Sequence, residues 1–279
     1  MTPVLAGALR QARIETRLQL FTWTGLTWII WPGIGLAVLY FMRDLPVMES
    51  ALSVAQMGAP GLAAMYLVYG GVFGISGALM LEREDGTLLR AKAIPGGMAA
   101  HLLGGMLTFG LVAVLPIALI LVAASFVIDG VLPSGASGWA LFAAVTLLGL
   151  AATMPAGALL GALLRGPMAL GVLGMLVTGS FAISGIFYPL AALPAWVHGL
   201  GQLLPTYWIG LGYRAAILPP EFAALELHGS WQTPMVVIVL AAWALVGSVF
   251  APWALRRMAR RQSGSAVAAA RERVMSRGY

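Results

Sequence analysis

The side chains that could carry chemistry in this chain are few and lie far apart. Its three histidines, His101, His198 and His228, show neither the HxxxH nor the HExxH spacing of a metal site. Cysteine is absent, which excludes disulfides, zinc–thiolate sites, iron–sulfur clusters and a cysteine nucleophile. The single lysine, Lys92, stands between two alanines, so no Gly-Lys-Ser/Thr sequence is present to bind nucleotide phosphates. Any work that ATP drives must therefore use a separate chain.

A cluster of charged side chains follows the second long apolar stretch. Residues 82–85 are all charged, Gly86 allows the chain to turn, and Pro95 would end a short helix over 87–94. A short, charged and structured link of this kind, residues 82–98, suits the docking of a soluble protein, and a solvated connector is the alternative. The residues expected to make this contact are Glu82, Arg83, Glu84, Asp85, Gly86 and Arg90.

A second unusual segment, residues 185–231, contains five prolines that separate apolar pieces of intermediate length. The pieces 195–204 and 206–218 are too short to span a bilayer and too apolar for an exposed loop, which favours re-entrant or interfacial helices. Arg214 would be costly there without a partner, so we expect one. The alternative is an interfacial loop with no transport role. The aromatic residues that suit a membrane boundary are Trp196, Tyr207, Trp208 and Tyr213.

Long apolar windows must position these segments. The chain is 60% apolar and 9% charged, with a mean hydropathy of +0.91, whereas a soluble domain is about 25% charged. A spanning helix needs about 20 mostly apolar residues, and none of the windows contains Asp, Glu, Lys or Arg. Glycines such as Gly70, Gly74, Gly77, Gly157 and Gly161 are expected to let helices approach closely. The sequence therefore predicts an all-α polytopic membrane protein with six transmembrane helices, at 21–42, 59–81, 101–128, 138–164, 168–188 and 232–254.

The distribution of lysine and arginine predicts the orientation. With the N-terminus inside, 14 of the 16 basic residues fall in cytoplasmic segments, and only Arg43 and Arg214 fall outside. The net charge of +6 then faces an anionic leaflet, which argues against nucleic acid as the partner. Both termini are predicted to lie in the cytoplasm, at a bacterial-type plasma membrane.

Both ends of the chain are basic. Residues 1–20 are predicted to form an N-terminal interfacial helix, because Leu5, Leu9 and Ala12 share one face at helical spacing. A second face of that helix carries Arg10, Arg13 and Arg17. A plain basic flank that only sets the topology is the alternative. The basic tail, 256–279, is expected to touch lipid headgroups.

Several function classes lack the residues that they need. Ion-driven transporters carry ionisable groups at membrane depth, and the predicted spans hold none. Intramembrane enzymes need a nucleophile with an acid, base or metal. The apolar stretches hold isolated serines without a histidine or carboxylate at matching depth. An ion-coupled secondary transporter and a membrane scaffold remain as alternatives.

The two unusual segments together resemble permeases of the ATP-binding-cassette (ABC) transporter type-2 family. The closest matches in the first segment, from Glu82 to Pro95, are Glu84, Gly86, Thr87, Leu88 and Pro95. The later motif appears as Ser184-Gly185-Ile186-Phe187-Tyr188-Pro189, Leu193-Pro194-Ala195-Trp196, Pro205-Thr206-Tyr207 and Arg214. The resemblance covers almost the whole chain. It is strongest to the drug- and antibiotic-export branch, including daunorubicin-resistance permeases, and permeases for polysaccharides or Nod factors share the motifs.

The resemblance implies a complex of two permeases with separate ATPase subunits that bind ATP and Mg²⁺, while this chain binds no cofactor. Residues 1–20 and 82–98 would touch the ATPase, and the second and fifth spans would line the path of an apolar or amphipathic substrate. A polysaccharide or glycolipid is the alternative cargo. Candidate path residues are Phe73, Met80, Met175, Phe181 and Phe187, although packing is the alternative role for each. The external gate would contain Gly185, Pro189, Pro194, Trp196, Pro205 and Arg214.

Overall fold

The fold is a bundle of helices, as the apolar windows predict. The computed structural model describes residues 3–48, 50–85, 87, 91, 93–94, 97–164 and 168–261. The α-helices of this described part are α1 (Pro3–Leu20), α2 (Trp23–Phe41), α3 (Val54–Val68), α4 (Ile75–Asp85), α5 (Gly97–Ala124), α6 (Gly135–Leu163), α7 (Ala169–Ile183), α8 (Ala195–Leu203), α9 (Pro205–Ile217) and α10 (Thr233–Arg261). A π-helical segment, Tyr69–Gly74, joins α3 to α4 in one rod, and 3-10 turns cover Leu190–Ala192 and Pro220–Leu225.

Several of these helices can cross a membrane. In the described residues, four stretches are long and apolar enough: Val54–Arg83, Ala100–Ala124, Gly135–Leu163 and Thr233–Leu255. The α1 and α2 helices meet at a bend of 62° and add a fifth span if the pair counts as one. The α7 helix has 15 residues, a rise of about 22 Å against a hydrocarbon core of about 30 Å. A multi-pass helical protein is therefore confirmed, and the count of six spans stays a prediction.

The α3–α4 rod packs against α6 through glycines. A Cβ at Gly157 would lie 2.6 Å from the carbonyl oxygen of Val72, and a Cβ at Gly161 would lie 2.8 Å from Cα of Ser76. The Ser76 hydroxyl also donates a 2.7 Å hydrogen bond to the Gly157 carbonyl. The two backbones therefore touch, and small residues at this contact are what permits it.

The same rod meets α5 on another face. A Cβ at Gly70 would lie 2.6 Å from Cβ of Ala113, and a Cβ at Gly74 would lie 2.7 Å from the ring of Phe109. Around Gly77, by contrast, the described residues leave open space within 4 Å. Four of the five glycines expected to make close helix contacts therefore do so, and Gly77 does not.

The α1 helix packs lengthwise on α5. Successive turns of the two helices meet in register, Gly7 with Ala100, Gln11 with Gly104, and Glu15 with Thr108. Each step is four residues in both helices, so the two run in the same direction. Ala8 and Ala12 are buried, whereas Leu5 and Leu9 are exposed. The predicted helix is present, but Ala8 and Ala12 rather than Leu5 and Leu9 face protein, because small side chains let helices approach closely.

The two short helices predicted within residues 185–231 are present as α8 and α9. The α9 helix is buried along almost its whole length, against α3, α6 and α10. Pro205 is its first residue, where the missing N–H group would have had no helical partner. The α8 helix is more exposed and presents Trp196 and Leu203 outward. Its last turn is tied to α10, because the indole of Trp243 donates a 3.0 Å hydrogen bond to the Leu203 carbonyl.

Candidate functional site

The charged end of the bundle is the end where α4, α6 and α10 finish and α5 begins. Arg83 holds three of these helices together. Its guanidinium donates to the carbonyl oxygens of Gly161 at 2.5 Å and Leu164 at 3.1 Å, and it lies 3.0 Å from the sulfur of Met258. The last carbonyls of a helix lack helical partners and carry partial negative charge, so a cation stabilises them. Arg83 therefore points into the bundle and joins α4 to α6 and α10.

Glu82 begins a chain of hydrogen bonds that crosses from α4 to α5 and α1. Its Oε2 lies 2.9 Å from Nε2 of His101, and Nδ1 of His101 lies 2.7 Å from the side-chain nitrogen of Gln11. That nitrogen donates at 2.7 Å to Glu15, which also accepts a 3.0 Å hydrogen bond from Thr108. Nothing in the sequence singles out Gln11 or Glu15, because their role depends on how α1 pairs with α5.

The remaining residues predicted to dock a partner are described only in part. Glu84 and Asp85 belong to the last turn of α4, but their side chains lie outside the described residues. Gly86 and Arg90 lie outside them altogether. What the structure adds is that the 82–98 segment starts from two side chains, Glu82 and Arg83, that are fixed to the bundle.

At the other end of the bundle, Arg214 of α9 is fully buried, with a relative exposure of 0%. Its Nε donates a 2.7 Å hydrogen bond to Glu226, whose side chain is 1% exposed. One terminal nitrogen of the guanidinium also donates to the carbonyls of Gly185 at 3.2 Å and Ile186 at 3.3 Å. Arg214 therefore has the partner that we expected from the sequence. That partner is Glu226, a residue that the sequence alone did not single out.

This ion pair joins three parts of the 185–231 segment. It ties α9 to the turn after α7 and to the residue that follows the last 3-10 turn. The second terminal nitrogen of Arg214 and Oε2 of Glu226 have no hydrogen-bond partner among the described residues. Two opposite charges that are both shielded from water stabilise each other. Removing either one leaves the other buried and uncompensated.

A glycine turn brings the segment into this arrangement. Gly185 has a φ of +60°, a backbone conformation that residues other than glycine rarely adopt. A Cβ there would also lie 2.9 Å from the carbonyl oxygen of Tyr188. Among the other gate candidates, Pro189 is buried after this turn, whereas Pro194 and Trp196 lie exposed at the start of α8. The structure therefore groups Gly185 with Arg214 and leaves Trp196 on the surface.

The π-helical segment presents two aromatic rings on one face of the α3–α4 rod. The rings of Tyr69 and Phe73 are stacked, with centroids 4.8 Å apart and planes at 11°. A Cβ at Gly174 of α7 would lie 3.9 Å from the Phe73 ring. A π-helical segment inside an α-helix is often found at functional sites. Phe73 therefore lies in the π-helical segment and faces α7, between the predicted second and fifth spans. Of the five candidate path residues, it has the most structural support.

The other candidate path residues differ in how deeply they are buried. Met80 is buried in the core of the bundle, while Met175 of α7 is 80% exposed. Phe181 and Phe187 are half-buried, and the ring of Phe187 packs against α3 at Gly61. A shared lining by all five residues stays a prediction.

Comparison with known protein families adds an independent observation. Residues 40–252 match a family model described as ABC-2 family transporter protein. The match runs from the end of α2 to the last third of α10, so it includes both Glu82 and Arg214 and excludes α1. No curated protein matches the chain.

Proposed function

This chain belongs to the ABC-2 family of transporter proteins and is the membrane permease component of an ABC transporter rather than an enzyme; we propose that it exports its substrate with energy from a separate ATPase subunit. In this proposal both termini lie in the cytoplasm of a bacterial-type plasma membrane. Residues 1–255 form the permease domain and 256–279 a basic tail. ATP and Mg²⁺ bind to the ATPase, and a second permease copy or homologue completes the path.

The observation that carries this proposal is the anchoring of the 82–98 segment. Its first two residues, Glu82 and Arg83, bond to α5, α6 and α10. A push on this segment by a soluble subunit is therefore delivered to several helices at once. A solvated connector needs no such anchors. The coupling role of Glu84, Asp85, Gly86 and Arg90 is part of this proposal.

The 185–231 segment is the external gate in this proposal. The buried Arg214–Glu226 pair supports the assignment, because it holds α9 among α3, α6 and α10 and fixes the turn at Gly185. A re-entrant segment persists at membrane depth only where protein shields its backbone, and the burial of α9 meets that condition. Opening the path outward would require this segment to move as one piece.

Apolar or amphipathic cargo, such as a drug, an antibiotic or a lipid-like molecule, fits the walls of the predicted path. The predicted spans carry no charged residue, and the aromatic pair at Tyr69 and Phe73 offers flat apolar surface. A polysaccharide or glycolipid is the alternative, since sugars also stack on aromatic rings. Ion coupling is disfavoured, because Glu226, the one buried carboxylate of the described residues, is already paired with Arg214.

The first experiment is to purify the tagged chain from its native membrane in a gentle detergent and to identify what accompanies it. A stoichiometric soluble protein with a P-loop is the expected result. Recovery of the chain alone, also after crosslinking, would contradict the proposal. The complex is then reconstituted in vesicles, and ATP-dependent movement of a fluorescent amphiphile is compared with that of a labelled oligosaccharide. Equal movement without ATP would favour an ion-driven transporter, whereas partner binding without any movement would favour a scaffold.

A further inference from the structure

Among the described residues, the hydrogen bonds around His101 have one consistent set of directions. The side-chain nitrogen of Gln11 can only donate, and its two hydrogens go to Glu15 and to Nδ1 of His101. Nδ1 of His101 must therefore accept. The hydrogen of the neutral imidazole then sits on Nε2 and is donated to Glu82 at 2.9 Å. Gln11, His101 and Glu82 thus form a directed chain in which each donor meets an acceptor.

This chain joins helices that are far apart in the sequence. Gln11 lies on α1, His101 on α5 and Glu82 on α4, so His101 bonds to both of the other helices. The side chains of His101 and Glu82 are only 11% and 21% exposed. Hydrogen bonds that are shielded from water compete less with solvent and hold their partners more firmly. The contact is therefore more than a loose surface interaction.

Close packing reinforces the same junction. A Cβ at Gly7 of α1 would lie 3.4 Å from Cβ of Ala100, and a Cβ at Gly104 would lie 2.9 Å from the side chain of Gln11. Thr108 adds a further hydrogen bond, to Glu15 of α1. The polar chain thus sits in the middle of a contact that extends over three successive turns of both helices.

We infer that Gln11, His101 and Glu82 form a polar clasp that makes α1, α5 and the end of α4 move as one rigid unit. Force applied to α1 or to the 82–98 segment then reaches the α3–α4 rod and α5 together. Gln11 and His101 are positioning residues in this scheme. The inference rests on the proposed function, since it describes how the motion of an ATPase subunit enters the permease. The family match excludes α1, so the clasp extends beyond the matched region.

Two substitutions of one residue test the role of the hydrogen bonds. In His101→Gln, the side-chain oxygen can accept from Gln11 while the nitrogen donates to Glu82, whereas His101→Leu fills a similar volume without either bond. In the reconstituted complex with its ATPase, we expect His101→Leu to retain ATP hydrolysis but to lose at least tenfold in transport per ATP. His101→Gln should stay within about threefold of the unmodified chain. Equal losses in both variants, or none in either, would overturn the clasp.

A disulfide tests the rigidity of the unit directly. The Cβ separation of 3.4 Å between positions 7 and 100 is close to that of a disulfide, about 3.5–4.5 Å, and the chain has no cysteine of its own. The variant with Gly7→Cys and Ala100→Cys should transport equally well in the oxidised and the reduced form, because α1 and α5 do not separate. Transport that stops on oxidation and returns on reduction would overturn the inference. Each single-cysteine variant is the control.

A readout that does not require transport separates this inference from the proposed function. Hydrogen exchange of the α1 amides in detergent should accelerate by about tenfold in His101→Leu and remain unchanged in His101→Gln. Exchange that is equal in all three proteins would overturn the clasp. If the unmodified complex shows no ATP-dependent transport while exchange follows the expected pattern, the proposed function fails and the clasp stands.

Discussion

Glu226→Ala is the sharpest perturbation of the buried ion pair in the 185–231 segment. It removes the carboxylate that accepts the 2.7 Å hydrogen bond from Arg214 and leaves a guanidinium with 0% exposure. The remaining contacts, to the carbonyls of Gly185 and Ile186, do not neutralise its charge. Removing one partner of a buried pair costs about 3–5 kcal/mol. For a chain of this size, that loss corresponds to a fall in Tm of roughly 6–20 °C.

Thermal unfolding of the purified chain in detergent measures this effect. Glu221→Ala is the matched control, because Glu221 is an exposed acidic residue in the Pro220–Leu225 turn just before Glu226. Exposed substitutions of this kind change stability by about 0.5 kcal/mol or less. The double variant Arg214→Met with Glu226→Gln removes both charges and should recover much of the loss.

Two outcomes would refute this reasoning. In one, Glu226→Ala unfolds within about 1 kcal/mol of Glu221→Ala, which would mean that the Arg214 charge is solvated rather than buried. In the other, the double variant is as unstable as the single one, which would mean that lost packing, not an uncompensated charge, causes the effect.

Three further predictions concern other parts of the bundle. Gly161→Ala should destabilise the chain by about 1–3 kcal/mol in thermal unfolding, because its Cβ would meet the backbone of α4. Gly77→Ala is the control and should be neutral or stabilising, because open space surrounds that position. Equal effects of the two substitutions would contradict the packing argument. Gly185→Ala should cost about 1–3 kcal/mol, because its φ is positive, and unchanged melting would contradict the strained turn. The double variant Glu84→Ala with Asp85→Ala should reduce ATP-coupled export at an unchanged membrane level, and unaltered export would remove these residues from the coupling role.

The helical bundle was predictable from the sequence because charge-free apolar windows of this length have few alternatives in a membrane. The ends of the helices were less accessible. The window 168–188 contains no charged residue, yet α7 ends at Ile183, because the chain turns at Ser184 and Gly185. Hydropathy reports whether a residue prefers water or lipid. It does not show where a glycine with positive φ ends a helix inside an apolar run.

In the candidate site, the sequence could predict that a buried charge needs a partner, but it could not predict which residue the partner is. Arg214 in an apolar setting requires a counter-charge, but the position of Glu226 depends on the irregular path between α9 and α10, which has no periodicity to read. Gln11 was missed because its role arises from the pairing of α1 with α5. That pairing uses small residues such as Gly7 and Gly104, and a chain with 35 glycines offers many equivalent choices.

The path residues illustrate a further limit. Spans in lipid are apolar on every side, so the pattern that marks the buried face of a soluble helix is absent. Met80 and Met175 look alike in the sequence, yet one is buried in the core and the other is 80% exposed. Phe73 differs from both, because it lies in the π-helical segment, a backbone feature that residue types alone do not reveal.

The Arg214 ion pair also imposes an order on the assembly of the protein. The carbonyl partners of Arg214 lie 28 and 29 residues before it in the chain, whereas its carboxylate partner lies 12 residues after it. During synthesis the guanidinium therefore emerges before the group that neutralises it, and it must stay near water or lipid headgroups until Glu226 follows. Until Glu226 is made, burial of α9 would leave the charge of Arg214 uncompensated. A chain that ended between residues 214 and 226 would carry the guanidinium without the carboxylate that neutralises it.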